Sequence, residues 1–195
     1  MKQAKVLTQA EIKRLLRVVS TTKYAARNRL MVMLSYMAGL RACEIAAIRV
    51  SDVINELQDG NWEVKSEVVL KSEQTKGNKA QTVVLSTGLQ REISDYYSKN
   101  MPLLKKSEYL LYSQKKGGFS SQTIQNLFKE LYQSAGISDA SSHSLRRTFI
   151  TTLSERGVSV RVIQALARHS SLATTQRYID VSVDKLRTAV EAVTF

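Results

Sequence analysis

The chain has 195 residues, 43% of them apolar, with 29 Lys plus Arg against 17 Asp plus Glu and a formal net charge of +12. That length supports one sizeable domain with its own core, and the charge favours a polyanionic partner, although it also fits a protein that is merely basic. The single cysteine, Cys43, excludes an intrachain disulfide framework and any Cys/His metal spacing, which points to a reducing compartment. The apolar stretch from Leu30 to Leu40 is too short to cross a bilayer, and Met1 to Lys5 lacks the apolar run of a signal peptide. A cytoplasmic protein with no membrane partner is expected.

Thr8 and Glu11 have capping-box spacing, and Ile12, Leu15, Leu16 and Val19 follow at helical intervals. A second helix is predicted from about Tyr24 to Ala38, stopped by Gly39. A short helix then carries Arg41, Glu44, Ile45 and Ile48, with Arg41 and Glu44 three apart and on one face. Val53-Ile54, Trp62 to Val64, Val68 to Leu70 and Val83 to Leu85 read as strands of one small antiparallel sheet. Thr75-Lys76-Gly77-Asn78-Lys79 reads as its hairpin turn, with Lys76 near the tip. Helices resume at Thr87. One opens at Ser120-Ser121 and ends at Gly136, and another runs from His143 to Arg156 before Gly157. Shorter helices are predicted from Val160 to Ala167 and from Leu172 to Ile179, and a last one from Asp184 to Val193. The expected fold is mainly α with a small antiparallel β-sheet, as a single domain over 1–195.

Two arginines, two histidines and one tyrosine suit the cleavage of a phosphodiester. Attack by an oxygen builds negative charge on two nonbridging oxygens, and donors must be in place before that charge develops. Arginine supplies parallel charge-assisted hydrogen bonds and stays ionised. Arg41 and Arg146 are candidates to clamp the phosphate, with His143 on the face of Arg146 and His169 as a further donor. Tyr178 is the candidate nucleophile, a phenol that needs such surroundings to react. Lys76 is the candidate general acid for the departing oxygen. Taken singly, each of these residues has an ordinary reading: solvated arginines and lysines, a capping histidine, a packed tyrosine.

Their joint order resembles the tyrosine recombinase (phage integrase) family over nearly the whole chain, from about Leu7 to the C-terminal helix. Met37 to Ile45 is similar to the family's first arginine box, and Thr75 to Lys79 to its lysine hairpin. Ser142 to Phe149 is similar to its histidine–arginine box. Leu166 to Ser171, followed by Thr174 to Tyr178, is similar to its histidine-to-tyrosine box. By that resemblance Arg41, Lys76, His143, Arg146, His169 and Tyr178 take catalytic roles, and Glu44 orients the histidine–arginine pair. Lys79 is a rival to Lys76. Arg147 stands where many members have a second histidine, and Arg168 where many have glycine. With Arg177 and Lys79, these two are expected to contact DNA.

The resemblance implies a site-specific DNA recombinase, of integrase or invertase type, that works through a 3′-phosphotyrosine without metal or other cofactor. It implies double-stranded DNA as partner, a tetramer on that DNA through exchange of the helix 184–193, and association with the nucleoid. DNA-bending accessory proteins are possible partners. The N-terminal clamp domain of typical members is expected to be absent from this chain. A non-catalytic DNA-binding module on the same scaffold and a type IB topoisomerase are the alternatives.

Overall fold

Thr8 does begin a helix. Its hydroxyl accepts from the Glu11 amide (3.2 Å) while the Glu11 carboxylate accepts from the Thr8 amide (2.9 Å), so two otherwise unpaired donors are satisfied. This helix, α1 (Gln9–Ser20), buries Ile12, Leu15 and Val19 along one side. The computed structural model describes residues 3–58, 60–75, 77–104 (backbone alone at 102 and 103), 108–113, 117–178, 187, 190, 191 and 193. The chain divides into two compact units, Met1–Phe149 and Ile150–Phe195.

In the first unit, α1 packs on α2 (Ala25–Ala38). Helix α2 buries an unbroken run from Leu30 to Ser35, as a helix covered on more than one side must. It stops at Gly39, whose φ of +60° is the left-handed geometry that glycine adopts freely. Short helices α3 (Ala42–Ala47) and α4 (Val50–Val53) follow.

The expected single sheet is instead two separate hairpins. Strands β1 (Ile54–Glu56) and β2 (Trp62–Val64) pair antiparallel with Asn55 opposite Glu63. Strands β3 (Glu67–Leu70) and β4 (Gln81–Val84) pair with Val68 opposite Val83. Strands of three or four residues each find a single partner here, the neighbour along the chain. Residues 71–80 separate the paired ends Leu70 and Gln81, and near their start lies a 3-10 turn, Ser72–Gln74.

Helices α5 (Thr87–Leu104), α6 (Ser121–Ser134) and α7 (Ser144–Glu155) complete the first unit, whose boundary falls within α7. Ser120 caps α6 by accepting from the Thr123 amide (3.1 Å). Helix α3 packs against α6. The core gathers Leu15, Leu30, Leu34, Ile45, Leu89 and Phe128, with Trp62 edge-on to Tyr97 at 4.8 Å between ring centroids. Tyr96 and Tyr132 also belong to this core, and burial pushes both phenols up from their ordinary range.

The second unit buries Ile150, Ile163 and Ala167. Ser159 caps α8 (Val160–Ala167), and α9 (Leu172–Gln176) packs against it. Helix α9 is shorter than predicted. Arg177 and Tyr178 leave it in a turn, and Ile179 lies outside the described residues. So does the predicted helix 184–193, apart from Arg187, Val190, Glu191 and Val193. Among the described residues no helix is long and apolar enough to cross a membrane.

Candidate active site

The first unit builds its site on the segment that joins α2 to α3. Arg41 is the N-cap of α3, in extended geometry (φ −79°, ψ 158°), and not a residue of the helix as its spacing from Glu44 suggested. Glu44, the third helical residue, is wholly buried. One of its oxygens accepts from the Arg41 amide (2.9 Å) and the other from the Arg41 guanidinium (2.5 Å). A buried carboxylate is tolerated when paired and hydrogen-bonded, and a carboxylate in a helix's first turn is further favoured. The same group therefore caps α3 and holds the Arg41 side chain, which keeps 20% of its exposure.

Arg146 comes from α7 yet ends at the same segment. It is 5% exposed, and its Nη1 donates to the Gly39 carbonyl. Gly39 serves twice: it ends α2, and it leaves room for Phe149. A Cβ at that position would sit 2.7 Å from the Phe149 ring. The stretch Gly39–Glu44 thus carries partners for two guanidiniums that are 105 positions apart in the chain (146 − 41).

His143 immediately precedes α7 and is not one of its helical residues. Its carbonyl accepts from the Arg147 amide (2.8 Å), its amide donates to Ser141 Oγ (3.3 Å), and the side chain is exposed. Arg147, expected to reach DNA, is half-buried and donates to the Ala4 carbonyl (2.7 Å). With Thr148 Oγ1 accepting from the Leu7 amide (2.8 Å), it fastens the N-terminal segment to α7.

Lys76 lies outside the described residues. The root of its loop is well held. Gln74 is buried; its oxygen accepts from the Lys71 amide (2.7 Å), and its nitrogen donates to the Ala47 carbonyl (2.9 Å) and to Asp52 (2.6 Å). Thr75 Oγ1 bonds both the carbonyl and the amide of Lys79, whose side chain is exposed. Ala47 is the last residue of the helix that Arg41 caps, so the loop is anchored to the arginine segment's own helix.

In the second unit the candidate residues sit in a single stretch. Arg168 closes α8 with φ +54° and ψ 46°, the left-handed conformation that favours glycine. It is 8% exposed and donates to the Leu166 carbonyl (2.9 Å), so it does not present the solvent-facing guanidinium expected of a phosphate contact. Position 168, where the resembling family often has glycine, is one where the left-handed backbone supplies a reason for glycine. Arg177 is exposed, as a DNA contact requires.

The reversed chain at 168 delivers His169, whose amide donates to the Gln164 carbonyl (3.1 Å) and whose carbonyl accepts from Gln164 Nε2 (3.2 Å). The imidazole Nδ1 lies 3.0 Å from Thr175 Oγ1. Its ring stacks on Tyr178, with centroids 5.8 Å apart and planes 22° from parallel. Tyr178 is half-buried, unlike the core tyrosines Tyr96, Tyr97 and Tyr132.

The sequence reading missed Gly39 as an acceptor, Gln74 as an anchor and Thr175 as a partner of His169. Nothing local marks the first two, because their bonds cross the fold. Thr175 lies three residues before Tyr178, and that proximity was the one available signal.

Residues 5–185 match the model of the phage integrase family. The chain is 38% identical over 190 residues to tyrosine recombinase XerA of Thermococcus kodakarensis, covering 96% of this chain and 62% of that protein. It is 33% identical over 181 residues to tyrosine recombinase XerD of Neisseria meningitidis serogroup B, covering 91% and 58%. The chain therefore spans about six-tenths of the length of these curated relatives. A crystal structure of XerA recombinase superposes with a TM-score of 0.75 at 26% identity, over 100% of this chain and 67% of that one. XerH site-specific recombinase bound to its difH substrate shares the fold, with a TM-score of 0.73 at 21% identity over 97% of this chain and 54% of that one. With residues 5–185 of this chain matched by the family model, the chain belongs to the phage integrase family.

Proposed function

We propose that this chain is the catalytic part of a site-specific DNA recombinase that cuts and rejoins double-stranded DNA through a 3′-phosphotyrosine. The observation that carries the reading is the Gly39–Glu44 segment, where buried Glu44 and the Gly39 carbonyl hold Arg41 and Arg146. Guanidiniums fixed in advance stabilise charge on a pentavalent phosphorus without the cost of reorienting solvent. That XerA and XerD are tyrosine recombinases, and that XerH is seen bound to DNA, supports the same reaction class and partner.

In this reading Tyr178 Oη gives up its proton to solvent and attacks the scissile phosphorus, and the P–O bond to the 5′ oxygen breaks. Lys76 protonates that oxygen, leaving a free 5′ hydroxyl. A 5′ hydroxyl from a second duplex then attacks the phosphotyrosine, which restores the phenol and joins the new strand. The ester conserves the bond energy, so neither ATP nor metal is required. Arg41, His143, Arg146 and His169 donate to the nonbridging oxygens, and Arg177 and Lys79 contact the DNA backbone. Exchange between two duplexes needs four nucleophiles and hence four protomers on DNA. Residues 184–193 are the segment that would pass between neighbours, and a DNA-bending accessory protein is compatible with that assembly.

The test uses a nicked suicide duplex bearing the chain's own site, recovered by selecting bound fragments from flanking genomic DNA. The wild-type chain is expected to become covalently attached, and Tyr178→Phe is not. Binding without attachment in both would leave a DNA-binding module. Attachment with relaxation of supercoils but no junction between two duplexes would identify a topoisomerase.

A further inference from the structure

We infer that Gln74 is a positioning residue for proton transfer to the departing 5′ oxygen: its buried side chain ties the root of the loop that carries Lys76 and Lys79 to the helix that Arg41 caps. Gln74 is 3% exposed, and its amide oxygen and both amide hydrogens are bonded. Oε1 accepts from the Lys71 amide (2.7 Å), while Nε2 donates to the Ala47 carbonyl (2.9 Å) and to Asp52 Oδ2 (2.6 Å). A backbone amide only donates and a carbonyl only accepts, so the partners themselves decide which end of the side chain is nitrogen.

The three bonds reach three elements. The first closes the 3-10 turn Ser72–Gln74 on Lys71. The second ends on the last residue of α3, the helix whose N-cap is Arg41. The third reaches α4, where the same Asp52 oxygen also accepts from the Arg49 amide (2.8 Å). Thr75, next in the chain and 6% exposed, bonds the carbonyl and the amide of Lys79 through its hydroxyl. Apolar packing alone would fill this space, whereas directional bonds to two helices also fix where the loop starts. The arginine segment and the lysine loop are thereby set against each other through α3. Without the Gln74 bonds, Glu44 and the Gly39 carbonyl still hold the arginines, but the loop loses its tie to them. A general acid must come within hydrogen-bond reach of the leaving oxygen, so proton transfer is the step that suffers. That step rests on the function proposed above, whereas the anchoring does not.

The test compares two suicide duplexes, one ordinary and one with a 5′-bridging phosphorothiolate at the scissile position. In the first, the P–O bond breaks and the oxygen takes a proton from a lysine ammonium. In the second, the P–S bond breaks and its electron pair stays on sulfur; thiols ionise far more readily than alcohols, so this leaving group needs no proton. Gln74→Met keeps the side chain's length and removes all three bonds. It is expected to attach about tenfold more slowly to the ordinary duplex, part of the roughly 100- to 10,000-fold that a general acid supplies, and within about twofold of wild type to the sulfur duplex. Gln74→Glu, which keeps the Lys71 bond and sets a carboxylate against Asp52, should show the same pattern, and it replaces Gln74→Met if that variant does not fold. Equal slowing on both duplexes, or a wild-type rate on the ordinary one, overturns the inference. So does a sulfur duplex that restores neither Lys76→Ala nor Lys79→Ala, because no lysine of the loop would then serve the leaving oxygen. Amide hydrogen exchange reads the anchor without DNA: the Lys71 and Lys79 amides should exchange at least about tenfold faster in the Gln74 variants, and unchanged exchange overturns the anchoring. If the wild-type chain attaches to neither duplex, the proposed function fails, and the exchange result still decides whether Gln74 holds the loop.

Discussion

The arginine segment of the first unit and the histidine–tyrosine stretch of the second are built by opposite means. Arg146 is held by a bond across the fold to the Gly39 carbonyl, and Arg41 by Glu44, a carboxylate three residues away that the packed core buries completely. His169, Thr175 and Tyr178 are held by one another, within ten positions of sequence. In the proposed reaction, groups that stabilise charge must not move as it develops, so anchoring the two arginines at a packed segment suits that role. A nucleophile must form and break a bond with its substrate, and local contacts on a short helix impose less on it. Stability and chemistry should therefore be coupled at the arginines and separable at the tyrosine.

The largest expected effect is at Tyr178. Tyr178→Phe should abolish covalent attachment while thermal melting and noncovalent DNA binding stay at wild-type values. A concurrent fall in melting temperature would erase the contrast between the two regions. Next come Arg41→Ala and Arg146→Ala, each expected to slow cleavage by roughly 100- to 1000-fold, the usual cost of a single transition-state donor. Because Arg146 is nearly buried and Arg41 partly exposed, Arg146→Ala should also lose more melting temperature than Arg41→Ala. Equal melting temperatures would mean that the Gly39 bond contributes little.

Glu44→Gln leaves a buried amide facing two donors and an arginine without its counter-charge. The expected loss is about 2–3 kcal/mol, at or below the lower end for a fully buried pair because Arg41 retains some exposure. Chemical denaturation measures it, and a loss under about 0.5 kcal/mol would reduce the pair to a surface-like contact. Gly39→Ala must place a side chain at φ +60° and 2.7 Å from Phe149, for about 2 kcal/mol or more. Phe149→Leu on that background should recover the clash but not the backbone strain. The smallest effect belongs to Arg168→Gly. Relief of the left-handed backbone and loss of the Leu166 bond are each about 1 kcal/mol and opposed, so stability should barely change. The salt dependence of DNA binding should also stay constant, and a slope reduced by about one phosphate contact would return Arg168 to the interface.

Much of the fold was legible before any coordinates. The Thr8–Glu11 capping box, the stop at Gly39, the start of α6 at Ser120 and the span of α8 are local events, written in side chains within one turn of each other. Arg41 was misplaced by the same reasoning, because three-residue spacing describes a helix face and a capping box equally well. The single predicted sheet became two hairpins because alternation marks strands but says nothing of which strands meet. Arg147 and Arg168 were expected at the DNA from their places in the motifs that resemble the family's; among the described bonds their guanidiniums donate to the carbonyls of Ala4 and Leu166.

By itself the sequence determined the helical periods, their stops, the basic charge and the ordered set of Arg41, His143, Arg146, His169 and Tyr178. Those depend on residue type and spacing along the chain, which folding does not alter. Only the tertiary structure decided that the Gly39 carbonyl takes the Arg146 guanidinium, that Glu44 is wholly buried against Arg41, that Gln74 roots the loop of Lys76, and that the hydroxyl of Thr175 meets His169. Hydrogen bonds across a fold are chosen by which groups burial leaves in need of a partner, and burial is a property of the packed chain.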